Sequence, residues 1–499
     1  MIDVFKFNAS LVNPNLKPIL YPLLLGSLVG FIAVYAGVAF ASLIIIYLIS
    51  SYLAYRKTWM AVGVLFLLAP YEFYGKFSTI TITSNEVIIL ALLSGFIFKF
   101  LEGNRFNYRI LVLFLPFIFV QFLSLAGVLN FGAGIKQILR WCEFFLVFLL
   151  AYHSFRNFEE FKKASSLLVF GSIPIALYGV YQSLIGFGGF MSEIIPMTAE
   201  EMKLNVLFGT FIRAHSILIQ ANHLGAYLVI IIPLSLLVRN FCQSKSFPSK
   251  IIENSLLIKH IGKFITMLLL VALFLTMSRS AWIALFISFG LVWLATYFYN
   301  PDVSEKKIRG SSKSVRKLFA AFLLIVFFAV VITFLVPQIK VRIATFGDLS
   351  EDLASQKRIT FYKVGLDIIR DFPLLGVGSG NYTSISERYA PEGMDPIGSK
   401  IHLHNLYLQI AVESGLLGLT SFIFFIVSVY LFIVNSYFKS DCCQKKLIMI
   451  VIIASFAFLI QNMADIFFVK GIHFLWSGLT GGLMGVLAKE STYDSKSLK

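Results

Sequence analysis

Long apolar runs, separated by short polar or basic segments, fill most of the chain. A helix needs about 20 mostly apolar residues to cross the hydrocarbon core of a bilayer. Runs near this length occupy residues 18–34, 36–55, 58–71, 84–101, 109–127, 137–153, 164–185, 216–238, 259–276, 280–299, 317–336, 416–436, 446–466 and 470–488. Because lipid offers no hydrogen-bond partners to unpaired backbone N–H and C=O groups, we expect these spans to be helical. The first three runs are crowded, so the pattern predicts an all-α polytopic membrane protein with about 12–14 transmembrane helices.

Composition supports a membrane protein. Hydrophobic residues make up 58% of the 499 residues and charged residues only 14%, with a mean hydropathy of +0.83. So little charge cannot cover the surface of a soluble protein of this length. The net charge of +16 is carried by short basic clusters between the apolar runs, and no basic face with interleaved aromatic residues is present. We therefore expect membrane lipids as neighbours and no nucleic-acid partner.

The basic clusters also predict the orientation of the chain. With the N-terminus inside, the short inner segments carry 27 Lys and Arg residues and the short outer segments carry 7. Cytoplasmic loops of membrane proteins show this excess of positive charge. The count therefore predicts cytoplasmic N- and C-termini and an even number of spans.

One long outer loop divides the chain into three parts. We expect an N-terminal transmembrane bundle of about 11 spans over residues 1–336. The loop over 337–415 follows, and 416–499 adds C-terminal transmembrane helices and a short cytoplasmic tail. Residues 353–372 of the loop predict an amphipathic helix, with apolar residues at helical spacing at Ile359, Tyr362, Leu366 and Ile369. Pro373 ends this helix, and a glycine-rich turn follows.

Three polar elements reach the outer side in this topology. They are Arg213-Ala214-His215 with Asn222 downstream, Ser278-Arg279-Ser280, and His402-Leu403-His404-Asn405. Two guanidinium groups suit the geometry of a diphosphate, and a neutral imidazole can accept a proton near neutral pH. Together they predict group transfer from a diphosphate carrier without a metal.

Each element alone also has a simpler explanation. An arginine at a helix end often extends to lipid headgroups, and a lone loop histidine is often structural. His402 and His404 resemble a metal pair, but no third ligand follows at a spacing typical of zinc sites. A transporter is the alternative function; Glu143 and Asp465 are candidate relay groups, but the sequence shows no internal repeat.

The same residues carry a family resemblance. Arg213 with Asn222, Ser278-Arg279-Ser280-Ala281-Trp282, the segment from Pro373 to Asn381, and His402 to Gln409 with Glu413 to Gly418 after it occur in this order. This series resembles the O-antigen ligase and O-antigen polymerase superfamily of bacterial inner-membrane glycosyltransferases, over about residues 205–436. An oligosaccharyltransferase is disfavoured, because residues 72–84 contain no Asp and no two Trp residues are adjacent.

The resemblance implies a metal-independent, cofactor-free transfer that inverts the anomeric centre. The donor would be a glycan on undecaprenyl pyrophosphate at the periplasmic face. A ligase passes the glycan to the lipid A core, and a polymerase passes it to a second lipid-linked unit; we favour the ligase. The implied catalytic residues are His404, Arg279 and Arg213. We expect substrate contacts from Arg358, Asn381, His402, Asn405 and Asn222.

Overall fold

The computed structural model describes residues 38–72, 74–77, 80–103, 106–185, 203–206, 209–218, 220–241, 255–298, 353–391, 402–468 and 471–497. Over these residues the protein is all-α, as predicted, with two short β-hairpins in addition. The helices are α1 Val38–Arg56, α2 Thr58–Leu68, α3 Ser84–Leu101, α4 Leu115–Leu123, α5 Phe131–Ser154, α6 Phe158–Ile185, α7 Ala221–Phe241, α8 Ser255–Leu275, α9 Arg279–Phe298, α10 Leu353–Asp371, α11 Tyr382–Tyr389, α12 Leu406–Lys439, α13 Cys442–Gln461 and α14 Ile472–Ser497.

The helices have the length and composition of a polytopic membrane protein. Four described helices, α3, α6, α12 and α13, are long and apolar enough to cross a membrane. Shorter apolar helices occupy Ala41–Arg56, Thr58–Tyr71, Ala221–Leu237, Ile261–Leu275 and Arg279–Val292. The predicted spans 18–34 and 317–336 lie outside the described residues.

The hairpins β1 Tyr74–Phe77 with β2 Ile80–Thr83, and β3 Lys203–Val206 with β4 Gly209–Ile212, are antiparallel. The second hairpin ends one residue before Arg213 and so leads directly into the first polar element.

One predicted span is broken in the structure. Residues 109–127 do not form a single helix: a 3₁₀ turn over Tyr108–Leu113 is followed by the nine-residue α4. Pro116 lies in the first turn of α4, where its missing N–H leaves no helical bond unmade. Pro116 therefore favours the start of a new helix here and prevents the 3₁₀ turn and α4 from forming one continuous helix.

The core of the bundle is rich in aromatic residues packed across helices. Trp141, Phe144 and Phe145 of α5 lie in one buried cluster with Phe117 of α4 and Trp476 of α14. The Phe144 and Trp476 rings stack with their centroids 5.7 Å apart. Small residues of α14 let its backbone approach α5 closely, as is common in membrane helix packing.

Helix α10 forms where the amphipathic pattern predicts it, but it buries a different stripe. Phe361, Val364 and Ile368 pack inward, whereas Ile359 and Leu366 of the predicted stripe are 43% and 58% exposed. Apolar residues lie on more than one side of this helix, so the apolar spacing alone did not identify the inward face.

The connections between helices separate into two ends of the bundle. At one end, before α5, the backbone N–H of Asn130 donates to Asn381 Oδ1 (2.7 Å) and Asn381 Nδ2 donates back to Asn130 O (3.1 Å). At the end where α5 finishes, Lys489 Nζ donates to His153 O (3.2 Å). The glycine-rich turn after α10 and the polar connection before α5 therefore share one end, and the basic end of α14 lies at the other.

Helix α12 contains a break that receives the glycine-rich turn. Gly415 has φ 68° and ψ −174°, a conformation that L side chains rarely adopt. The gap admits the segment after α10: Leu416 N–H donates to Pro373 O (2.8 Å), and Val377 N–H donates to Val412 O (2.9 Å). Backbone groups of α12 that the break leaves unpaired are therefore hydrogen-bonded to the Pro373–Gly380 segment. These bonds hold the segment against α12.

Candidate active site

His404 and Asp465 form a hydrogen-bonded pair at the outer-loop end of the bundle. His404 Nδ1 lies 3.0 Å from Asp465 Oδ1, and the Asp465 side chain is only 5% exposed. A carboxylate can only accept, so Nδ1 is the donor in this hydrogen bond. Among the described residues, Nε2 has no hydrogen-bond partner. The buried acid therefore sets the orientation of the His404 ring and of its Nε2 atom.

A chain of hydrogen bonds joins this pair to Arg213. An Arg213 terminal nitrogen donates to Asn222 Oδ1 (3.3 Å), and Asn222 Nδ2 donates to Asp465 Oδ2 (3.4 Å). Arg213 Nε also donates to the backbone oxygen of Thr276 (2.9 Å). Asn222, predicted to contact substrate, is therefore the bridge between the guanidinium and the acid.

Arg279 is the first residue of α9, and both of its neighbours belong to the same network. Ser278 Oγ donates to Asn222 Oδ1 (3.1 Å). Ser280 Oγ accepts from Gln461 Nε2 (3.1 Å) at the end of α13. The structure thus places Arg279 beside the Arg213–Asn222 contact, at the same end of the bundle as His404.

Three helices begin at this polar cluster. Helix α7 begins at Ala221, α9 at Arg279 and α12 at Leu406, and the residues around these starts supply the cluster. The first N–H groups of a helix lack helical acceptors, and the helix dipole makes this end partly positive. The cluster therefore combines two arginines with three helix N-termini, which is an environment suited to an anion.

Backbone strain is concentrated at the same place. Within the described part of the chain, the non-glycine residues with positive φ are Ser216 (54°), Met277 (51°) and His404 (51°). Each precedes one of the three helix starts by two to five residues. Such conformations cost about 1–3 kcal/mol and persist where the surroundings hold them, often at functional sites.

Neighbouring groups keep His404 in position. Gln409 Oε1 accepts from Leu403 N–H (3.0 Å), and Gln409 Nε2 donates to Glu413 Oε1 (2.7 Å). The Tyr362 hydroxyl of α10 donates to the backbone oxygen of His404 (3.4 Å). The loop carrying the histidine is thus held from both α10 and α12.

Burial and charge set the ionisation of the neighbouring groups. Burial opposes ionisation of Asp465, but the hydrogen bond and charge of His404 outweigh it and lower the pKa of this carboxyl to about 2. Burial, with the positive charge of His404 second, lowers the pKa of His402 to about 4. At neutral pH the site therefore holds an anionic Asp465 and an uncharged His402.

Asp465 also supplies the third potential metal ligand that the local spacing lacks. One ligand atom from each of His402, His404 and Asp465 lies within 4.8 Å of the other two. The distances differ, since His404 is at hydrogen-bond distance from the carboxylate and His402 Nε2 is 3.9 Å away. His402 Nδ1 is engaged by the backbone N–H of His404 (3.1 Å). The present distances are those of a hydrogen-bonded group. Binding of a cation by the same three side chains is the alternative.

Two of the expected substrate contacts are occupied by the protein itself. The Asn381 amide bonds Asn130 and the backbone oxygen of Ser379, and its side chain is buried. The Asn405 side chain accepts from Leu408 N–H and caps α12. These hydrogen bonds hold the turn and the helix start, and a substrate contact from either side chain stays a prediction.

Two further residues, Arg358 and Asp465, lie near the histidines. Arg358 of α10 is close enough for its charge to act on His402 and Tyr362. Asp465 was recognisable from sequence only as an acid near the end of a span, and its pairing with His404 joins positions 61 residues apart. No spacing pattern could have shown that contact.

Comparison with known proteins agrees with the motifs. Residues 264–423 match the family model described as O-antigen ligase, which confirms the resemblance drawn from the sequence. The match covers Arg279, the α10 region and His404, whereas Arg213 and Asp465 lie outside it. No curated protein matches the chain. The family match indicates an enzyme of the ligase or polymerase type that uses lipid-linked glycans, and supports O-antigen-ligase-like glycosyltransferase activity in general.

Proposed function

We propose that this protein is an O-antigen-ligase-like glycosyltransferase that moves a glycan from undecaprenyl pyrophosphate to an acceptor hydroxyl. The observation that carries the proposal is the continuous chain from Arg213 through Asn222 and Asp465 to His404, with Arg279 beside it. It combines groups that bind a diphosphate with a group that removes a proton.

His404 is the proposed base. Its Nε2 accepts the proton of the acceptor hydroxyl while the hydroxyl oxygen forms a bond to the anomeric carbon of the donor. The bond from that carbon to the diphosphate oxygen breaks, and the electron pair leaves with undecaprenyl pyrophosphate. The anionic Asp465 stabilises the imidazolium that forms, and the proton passes on to the departing diphosphate or to water. Attack opposite the leaving group inverts the anomeric centre.

The basic cluster is the proposed diphosphate site. Arg279 and Arg213 supply two positive charges to phosphate oxygens, and the N-termini of α7 and α9 add the positive ends of their helix dipoles. Arg213 is held in place for this role by its bonds to the Thr276 oxygen and to Asn222. Charge develops on the diphosphate as the glycosidic bond breaks, so preorganised donors there lower the barrier. Arg358 of α10 would add a third guanidinium at the edge of this site.

The proposed location is the periplasmic face of the bacterial inner membrane, with both termini in the cytoplasm. The excess of Lys and Arg in the opposite segments supports this orientation. The ligase is the first assignment because the matching family model is described as O-antigen ligase. A polymerase that adds lipid-linked repeat units would use the same chemistry. Surface polysaccharide from a deletion strain separates the two: single-repeat caps indicate a lost polymerase, and carrier-linked long chains indicate a lost ligase.

A transfer assay tests the proposal. Purified protein in nanodiscs receives an undecaprenyl-pyrophosphate glycan and acceptor glycolipid from a deletion strain of the same source. We expect His404→Gln to lower kcat by about 10²–10⁴-fold. Arg279→Lys keeps one charge but loses the bidentate fork, so it should lower kcat as well. Arg388→Ala, an exposed arginine on α11, is the matched control. Wild-type rates in both folded variants would refute the mechanism, and glycan-independent solute flux would favour a transporter.

A further inference from the structure

A second polar region, distinct in charge from the arginine cluster, lies inside the bundle. It is a cavity of about 730 Å³, within the roughly 300–1,000 Å³ range of small-molecule sites. Four carboxylates, Glu72, Glu86, Glu143 and Glu413, face it, and Arg140 is its one permanently positive side chain among the described residues. Carboxyl groups therefore outnumber basic groups in the cavity, whereas the cluster around Arg213 and Arg279 has two guanidinium groups and one acid, Asp465.

Two lining groups, the Glu143 carboxyl and the Nδ1 atom of His473, have no hydrogen-bond partner among the described residues. Glu143 of α5 forms no hydrogen bond or ion pair with any described residue, although it lies on an apolar helix. His473 of α14 is 8% exposed, and its buried Nδ1 has no hydrogen-bond partner. Its ring is held in place by stacking on Phe468, with centroids 4.9 Å apart. An unpaired buried polar atom costs about 1–3 kcal/mol, so the Nδ1 atom of His473 indicates a missing ligand. The half-buried Glu143 carboxyl lines the same cavity.

The other lining groups narrow the chemistry of that ligand. The carboxyl groups offer acceptor oxygens, and Gln137, Gln220 and Gln409 add amides that both donate and accept. Trp141, Phe468 and Phe474 add flat apolar faces. A hydroxyl-rich sugar ring has O–H donors at its rim and C–H groups on its faces, which matches this set. An anionic phosphate does not match it, because the carboxylates repel it.

The cavity adjoins the proposed base. His402 lines the cavity, and its ring centroid is 4.2 Å from that of His404. Gln409, which also lines the cavity, holds the backbone of the same loop. A sugar in the cavity would thus lie next to the loop that carries His404.

We propose that this acidic cavity is the subsite for the acceptor sugar, and that it takes an uncharged or amino-bearing sugar rather than an anionic one. The inference rests on the proposed transferase function and adds to it the side from which the acceptor enters. Donor and acceptor bind at sites of different charge. The diphosphate of the donor binds at the basic cluster, and the hydroxyl-bearing ring of the acceptor binds in the acidic cavity. His402 forms the boundary between them.

Steady-state kinetics of the full-length protein in nanodiscs test this subsite. Glu143→Gln keeps the side-chain volume but removes the charge, and His473→Phe keeps the ring stack but removes the nitrogens. We expect each to raise the acceptor KM by about ten- to a hundredfold. The donor KM, and donor hydrolysis without acceptor, should stay within about twofold of wild type. Glu159→Gln, an exposed glutamate in the first turn of α6, is the matched control.

Competing glycosides test the charge preference. Methyl glucosaminide and methyl glucoside should compete with the acceptor, and methyl glucuronide should not; Glu143→Gln should reduce the difference. An acceptor KM in Glu143→Gln equal to that in Glu159→Gln, or a rise in donor KM instead, overturns the subsite while leaving the transferase intact. Wild-type protein that neither transfers nor cleaves the donor refutes the proposed function itself.

Discussion

Replacing Asp465 by asparagine tests the His404–Asp465 pair directly. Asp465 Oδ1 accepts from His404 Nδ1 (3.0 Å) and from Ile466 N–H (2.9 Å), and Oδ2 accepts from Asn222 (3.4 Å). Asn222 cannot simply turn over, because its own Oδ1 accepts from Arg213. The NH2 group of an asparagine at 465 therefore faces another donor in either orientation of the amide. It faces Asn222 Nδ2 in one orientation and His404 Nδ1 in the other. One orientation also forces His404 into the tautomer with its proton on Nε2, where it cannot act as a base.

The magnitude follows from charge and burial. The Asp465 side chain is 5% exposed, so water screens its charge poorly. Opposite charges about 4 Å apart interact by about 4 kcal/mol at the effective dielectric constant of a protein site. Losing this stabilisation of the imidazolium corresponds to a drop in kcat of about 10²–10⁴-fold, or about 3–5 kcal/mol in activation free energy. The donor KM should change little, since both arginines remain.

The assay is glycan transfer by purified variants at saturating donor and acceptor. Asp367→Asn is the matched control, because Asp367 is an exposed acid on α10 that pairs only with Arg370 among the described residues. Thermal unfolding of each variant shows whether loss of activity reflects loss of fold. A folded Asp465→Asn variant with kcat within about twofold of wild type would show that Asp465 does not support the base.

Three other predictions concern the same region. Chelation with EDTA should leave transfer unchanged if His404 and Asp465 are joined by a hydrogen bond; loss that is restored by a divalent cation would instead identify a metal at His402, His404 and Asp465. Since burial lowers the pKa of His402 to about 4, this residue should stay uncharged above about pH 5. The ratio of donor KM in His402→Gln to that in wild type should therefore be flat from pH 5.5 to 8, and a rise toward pH 5.5 would contradict the assignment. Gly415→Ala should lower Tm by several degrees, because an alanine there costs about 1–3 kcal/mol in backbone strain and its Cβ meets Leu374 O. Gly290→Ala, with open space around its Cβ, should not lower Tm, and equal losses would refute the backbone argument.

Much of the architecture was accessible from hydropathy. Helices α3, α6 and α13 lie close to their predicted spans, because an apolar run of this length has only one way to satisfy its backbone in lipid. Hydropathy failed at residues 109–127, where Pro116 starts a new helix inside an apolar run. It also failed to give the inward face of α10, since apolar residues lie on more than one side of that helix.

The candidate site was predictable in its residue types and only partly in its geometry. Arg213, Arg279 and His404 were selected because cations and imidazoles near span ends are costly unless they are used. The roles of Asn381 and Asn405 could not be predicted, since an asparagine in a turn serves equally as a cap or as a ligand contact. Their hydrogen bonds to the protein are tertiary or capping contacts that a sequence pattern does not distinguish from substrate contacts.

The sequence alone determined the class of protein and which polar residues carry the family motifs. These features depend on which residues are close together in the sequence, so they can be recognised without the fold. The tertiary structure alone decided that Asp465 supports His404, that three helix starts meet at the arginines, and that Glu143 and His473 share a cavity. Each of these depends on side chains from separate helices, and packing, rather than sequence spacing, sets the distances between them.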